Sequence, residues 1–317
     1  MNTRPSPTQL SSLRELPQHI EISEPRSRAG ITIFFLYPHH EPRWDFGLGL
    51  DEVRITELPE GPTVERLLFQ NDHPERAALL RGTELLFGGL QDRVINAPAL
   101  LAPGESAPLP TLCVEQSRWA QREGEAQGFH FAGRASREVL IERERHHDEQ
   151  GRQSRVWREV EARRQAWARP ESSSESSSSL IEAQRERAEQ SRFTPELPFG
   201  AVGFVVVKPD HRGRPLITLC EYYHSPLSCQ RAWRELSFDA GSAELSPSRG
   251  RVKVSRTEVR RYLKSVAQSD LYPYHSERAE RPFQVSHKRN RGQLLSLDGQ
   301  CLYFSVGAIQ SPALAVA

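Results

Sequence analysis

Apolar residues in this chain fall into short blocks separated by polar turns, and the period of the blocks changes along the sequence. ITIFFLYP (31–38) is an unbroken apolar run of strand length, the pattern of a strand buried on both faces. VERLLFQND (64–72) reads as another strand, closed by Asn71-Asp72. AALL (77–80) and TELLF (83–87) flank Arg81-Gly82, a tight turn in which glycine supplies a positive φ. RVINAPALL (93–101) and APLPTLCVE (107–115) flank APGES (102–106), a turn with Pro and Gly in the usual order. Pro98, Pro108 and Pro110 cannot donate to a ladder, so these arms belong at a sheet edge or carry bulges.

The period then changes. Residues 120–192 are dominated by Arg, Glu and Gln, and Val156, Trp157, Val160 and Trp167 form a narrow helical stripe. ESSSESSSS (171–179) has nothing to bury and reads as a disordered linker, followed by a short helix, LIEAQRERAEQ (180–190). AVGFVVV (201–207) and PLITLCEY (215–222) flank DHRG (210–213) as a hairpin. Ser225-Pro226 is an N-cap followed by an N1 proline, and Cys229, Ala232, Trp233 and Leu236 then keep i, i+3, i+4, i+7 spacing. A second helix opens with the capping box Ser255-x-x-Glu258, and Val259, Tyr262, Leu263 and Val266 repeat that spacing. QLLSL (293–297) and CLYFSV (301–306) form a last hairpin around Asp298-Gly299.

The expected fold is α+β, with β-sandwich-like sheets, a charged helical insertion and a C-terminal sheet-plus-helix part. Residues 1–28 read as a partly disordered tail and 29–120 as the β-rich part. Residues 121–192 read as the insertion, and 193–317 as an α+β part completing the same domain.

Composition narrows the function classes. Apolar residues are 37% of the 317, enough for a core, and the net charge of +1 gives no field to attract nucleic acid or a membrane. The longest apolar run is too short to span a bilayer, and the first residues lack the apolar core of a signal peptide. Cys113, Cys220, Cys229 and Cys301 are scattered, with no metal or disulfide spacing, so a reducing cytoplasm is expected.

Candidate chemistry concentrates in the 93–115 hairpin. A tight turn at APGES places Arg93 opposite Glu115 and Ile95 opposite Cys113. Arg93, Cys113 and Glu115 then share one face, with Asp92 and Gln116 on the other. Two readings stay open. The cluster is a polar pocket in which arginine grips phosphate and glutamate acts as base or ribose acceptor, or it is a cross-strand ion pair beside a small buried thiol.

Other motifs carry less. His146 and His147 in ERERHHDEQ (142–150) point about 100° apart on a helix, so the run reads as a solvated face and no metal site is expected. His39-His40 has the same standing. Phe87-Gly88-Gly89 is too short for a phosphate fingerprint, no P-loop or GxGxxG is present, and no cofactor is expected. SHKRNRG (286–292) reads as exposed hairpin charge, and Tyr222-Tyr223-His224 as core aromatics at a strand end.

The stretch LLFGGLQDRVINAPALLAPGESAPLPTLCVEQSRW (85–119) resembles the signature segment of a bacterial family, the ADP-ribosylglycohydrolase (ARG) and rhodanese-phosphatase-superfamily-associated protein domain. The matching positions are Glu84, Gly88, Gly89, Gln91, Arg93, Asn96, Pro110, Cys113, Val114, Glu115, Arg118 and Trp119. The likeness extends over about 45–240, through GLGLDEVRITELPEGPTVERLLFQND and GAVGFVVV to SPLSCQRAWREL, with Tyr223-His224 where the family has an acidic or aromatic residue. It implies a link to NAD or ADP-ribose metabolism, carried by genomic company.

On that reading a nucleotide-like small molecule is the ligand. Glu115, Glu84 and Cys113 are the catalytic candidates, and Gln91, Arg93, Asn96, Gln116, Arg118 and Trp119 the binding candidates. The alternatives are an adaptor whose Arg/Glu helices bind a protein partner, and a metal hydrolase resting on the His146–Glu149 run alone.

Overall fold

The computed structural model describes residues 9–28, 30–42, 44–49, 52–88, 91–113, 129–134, 196–238, 250 and 252–308, and strands β1–β18 and helices α1–α3 are numbered along them. The chain is α+β, mostly strand, and divides into two compact units. The first comprises Met1–Phe46, Ser191–Phe238 and Ser242–Ala317; the second comprises Gly47–Gln190 and Asp239–Gly241.

The first unit is built on one antiparallel sheet. Its order is β1 (Ile20–Ile22), β3 (Ile31–Pro38), β13 (Gly203–Pro209), β14 (Pro215–Tyr223), β18 (Gln300–Ala308), β17 (Asn290–Leu297), β16 (Arg281–His287) and β15 (Asp270–Pro273), with β2 (Arg26–Arg28) beside β3. β3 is apolar without alternation because both of its faces are covered. On one face Phe35 and Phe204 meet the Trp233 ring of α2 (Pro226–Phe238) edge-on, at 5.4 and 4.9 Å between centroids. On the other, Phe34, Leu36 and Val205 pack in one cluster with Val259, Leu263 and Val266 of α3 (Arg256–Ala267).

Local chemistry fixes the ends of these elements. Ser225 Oγ accepts the Ser228 N–H at 3.4 Å as the N-cap of α2, and Ser255 with Glu258 completes the expected capping box of α3. In the β13–β14 hairpin, Asp210 Oδ1 accepts the backbone N–H groups of Arg212 and Arg214, both at 2.8 Å, and Gly213 takes φ +72°. Those bonds pull the Asp210 carboxyl down to about 2.

Residues 9–28 differ from the tail that their composition predicts. α1 (Ser11–Glu15), a following 3-10 turn and β1 bury Leu13, Leu16, Ile20 and Ile22 in the α3-side cluster. Four well-spaced apolar side chains suffice, each contributing about 1.5–3 kcal/mol on burial.

In the second unit the strands close into a barrel in place of the expected sandwich. Its order is β11 (Ser106–Cys113), β6 (Arg66–Asn71), β5 (Val53–Thr56), β12 (Phe129–Arg134), β8 (Glu84–Gly88) and β9 (Arg93–Ile95). Its core includes Ile55, Leu67, Phe69, Leu86, Ile95 and Leu109. β4 (Phe46–Leu48), β7 (Ala77–Leu80) and β10 (Ala99–Leu101) form a separate three-stranded sheet.

Three further details depart from the sequence reading. β12 lies inside the stretch read as a helical insertion, where Phe129 and Phe131 already carried a period of two; the stripe from Val156 to Trp167 and the serine tract lie outside the described residues. The positive φ near the β7–β8 turn belongs to Thr83 (φ 74°), not to Gly82. The 93–115 arms are not a simple hairpin, because β10 pairs with β7. Thr111 N–H donates to Glu65 O on the β6 side, and Pro110 O accepts from Asn96 N–H on the other. By alternation the nitrogens of Pro108 and Pro110 point away from β6, to the side that β10 has left.

Candidate functional site

The described part of the signature segment gathers at the meeting of β8, β9 and β11. Arg93 pairs with Cys113, two positions from the predicted Glu115, because β10 does not continue the hairpin and the turn therefore does not set the register. A shift of two keeps every side chain on its face, so Arg93 and Cys113 do share one, as expected.

Gln91 joins them. Its Oε1 accepts from Arg93 Nη1 at 2.6 Å and from Cys113 Sγ at 3.2 Å, and Arg93 Nη2 reaches the Thr63 carbonyl at 3.4 Å. Gln91 is 2% exposed, and Arg93 and Cys113 are fully enclosed. A thiol so placed is a brace; a nucleophile must be reachable.

Glu84 has a different partner. Its Oε1 accepts from Arg81 Nε in an ion pair closed to solvent. A carboxylate closed in against a buried guanidinium is the arrangement of a structural pair. Asp92 is also enclosed, and its Oδ1 accepts the Gly88 N–H at 3.4 Å. Asn96 is half-buried and donates its backbone N–H to Pro110 O at 3.1 Å. Gly88 answers to packing: a Cβ there would lie 2.1 Å from the Phe129 ring, which fills the space a side chain would need. Glu115, Gln116, Arg118 and Trp119 lie outside the described residues, as does the His146–Glu149 run.

One group was missed. Glu57 follows β5 and lies close enough to Arg93 to feel its charge. Burial pushes its carboxyl up, and the Arg93 charge and the Thr63 N–H oppose that rise without cancelling it. Both carboxylate oxygens are shut from solvent, and neither completes a geometrically good hydrogen bond among the described residues. The available signal was its parity with Val53 and Ile55 in VRITE, which carries it toward the core.

Among the described residues, no group of three His, Cys, Asp or Glu side chains is arranged to hold a metal, and no helix is long and apolar enough to cross a membrane. No curated protein and no solved structure matches the chain. The ARPP-1 family, the ARG and Rhodanese-Phosphatase-superfamily-associated Protein domain, matches residues 19–307, beyond the 45–240 read from the motifs; the chain belongs to that family.

Proposed function

We propose that the protein binds ADP-ribose, NAD or a related nucleotide at the barrel end where Glu57, Gln91 and Arg93 converge. The observation that carries this reading is Glu57, a buried carboxylate beside a braced guanidinium that completes no geometrically good hydrogen bond among the described residues. Such a group accepts the paired hydroxyls of a ribose, and the hydroxyls repay the burial that raises its pKa. The family's association with ARG supports the ligand class.

In this reading Gln91 and Cys113 hold Arg93, and Arg93 supplies fixed positive potential from within. Arg118 is the phosphate partner, Trp119 the stacking surface, and Gln116 and Asn96 further polar contacts. Glu115, two residues beyond Cys113 in sequence, is the base if the ligand is processed.

The test is calorimetric titration of the full chain with ADP-ribose, NAD and AMP, alongside Glu57→Gln, Arg118→Ala and Trp119→Ala. Saturable binding by the wild type, weakened about ten-fold or more in each folded variant, is the expected result. A folded wild type that binds none of the three overturns the reading and turns attention to a protein partner.

A further inference from the structure

The first unit carries a groove of about 380 Å³ between β1 and α3, within the size range of small-molecule sites. Glu21 and Ile22 form one wall; Thr257 and four cations of α3 (Arg256, Arg260, Arg261 and Lys264) form the other. We propose that this groove binds a small molecule bearing two or more phosphate groups.

Charge placement carries the proposal. Over the whole chain 42 Lys and Arg are balanced by 41 Asp and Glu, yet the groove sets four cations against one carboxylate. Arg256, Arg260 and Lys264 stand at i, i+4 and i+8, where like charges destabilise a helix and a glutamate would stabilise it. Glu258, the acid of the helix's first turn, is turned to its own N-cap and accepts the Ser255 N–H at 2.7 Å.

Arg260 is already fixed for binding. Its Nη1 donates to Pro17 O at 2.7 Å and its Nη2 to Ile20 O at 3.2 Å. Both acceptors are neutral carbonyls, which hold the guanidinium and leave its charge uncancelled, so little ordering remains for a ligand to impose. Arg261 and Lys264 are exposed; Arg261 is near enough to Glu258 to help hold that carboxyl down, and Lys264 makes no ion pair among the described residues. Arg256 meets Glu24 at 3.1 Å, but that carboxylate is 76% exposed and readily exchanged for a phosphate. Residues on successive turns have Cβ atoms roughly 5–6 Å apart, so their long cationic side chains can reach two linked phosphates together. Glu21 opposes a third anion and suits a hydroxyl on the ligand's other end.

The site shares no residue with the barrel end, and the probe is chosen to separate the two. Inorganic pyrophosphate is titrated into the full chain by calorimetry at two salt concentrations, with Arg261→Glu/Lys264→Glu as the charge-reversed variant and Arg260 left in place. Saturable binding that weakens with salt, falls at least about ten-fold in the double variant, and is unchanged in Glu57→Gln is the expected result. Equal affinity in wild type and double variant overturns the proposal. So does tighter binding of a Glu-rich peptide than of pyrophosphate, or no binding at about millimolar pyrophosphate.

Discussion

Arg93 lies directly opposite Cys113 across the β9–β11 pair, and both donate to one acceptor, Gln91 Oε1. A guanidinium, a thiol and an amide thereby form a closed knot at the end of the barrel. The knot fixes where β9 meets β11, and with it the point from which the chain continues towards Glu115, Arg118 and Trp119.

Gln91→Leu removes that shared acceptor while keeping the volume. Two buried donors lose a partner, at about 1–3 kcal/mol of stability. Urea denaturation should show a lowered midpoint with an unchanged slope. A loss below about 0.5 kcal/mol would mean that the knot contributes little.

Gly88→Ala places a Cβ against the Phe129 ring and should cost about 1–3 kcal/mol. Because the obstacle is a side chain, Phe129→Leu should restore part of the loss in the double variant. Gly203→Ala offers the contrast: its Cβ would lie 2.3 Å from the Glu221 carbonyl oxygen, and no side-chain change can relieve a backbone clash. A double-mutant cycle read by thermal melting separates the two cases.

Glu57 makes stability depend on pH in a specific direction. Its folded pKa lies above the ordinary value of 4.5, so between those two values the native state holds more proton than the unfolded chain. Stability therefore falls as pH rises through that window. Glu57→Gln should be more stable than wild type at pH 7, with the difference closing below the ordinary value. If Glu57 serves the ligand, the same variant that gains stability loses nucleotide binding, a trade expected of a functional group held against its solvation preference.

Ser255→Ala tests the first turn of α3. The loss of the cap should cost about 1 kcal/mol at neutral pH. The Glu258 carboxyl is held below its ordinary value first by the Ser255 backbone N–H, which alanine keeps, and then by the Ser255 hydroxyl. Only the hydroxyl's bond to the carboxylate fades as acid protonates the glutamate, while its bond from the Glu258 N–H does not depend on pH. Melting curves at pH 7 and in acid should show the gap between variant and wild type narrowing in acid without closing.

The parts of the fold legible in the sequence are those governed by local rules. α2 and α3 appear where apolar spacing and Ser caps coincide, and the β13–β14 and β17–β18 hairpins where Asp and Gly sit between apolar runs. Non-local choices were not legible. The departure of β10 to β7 depends on which side of β11 the prolines face, and the Arg93 register follows from that departure. β12 was hidden by the Arg/Glu-rich composition around it, and residues 9–28 by the polar residues between Leu13, Leu16, Ile20 and Ile22. At the site, the shared face of Arg93 and Cys113 could be read from parity, and Gln91 was singled out by the family resemblance. The Arg81 partner of Glu84 could not, because Arg81 read as part of a turn, and Glu57 stands outside the signature segment altogether.

The most direct test of the barrel-end reading is backbone hydrogen exchange of the full chain, followed by mass spectrometry, with and without saturating ADP-ribose. Binding at that site predicts slowed exchange in peptides covering 57–63, 91–95 and 111–119, whether or not α3 is also protected. Saturation with protection confined to α3, or with no protection at β9 and β11, would contradict it.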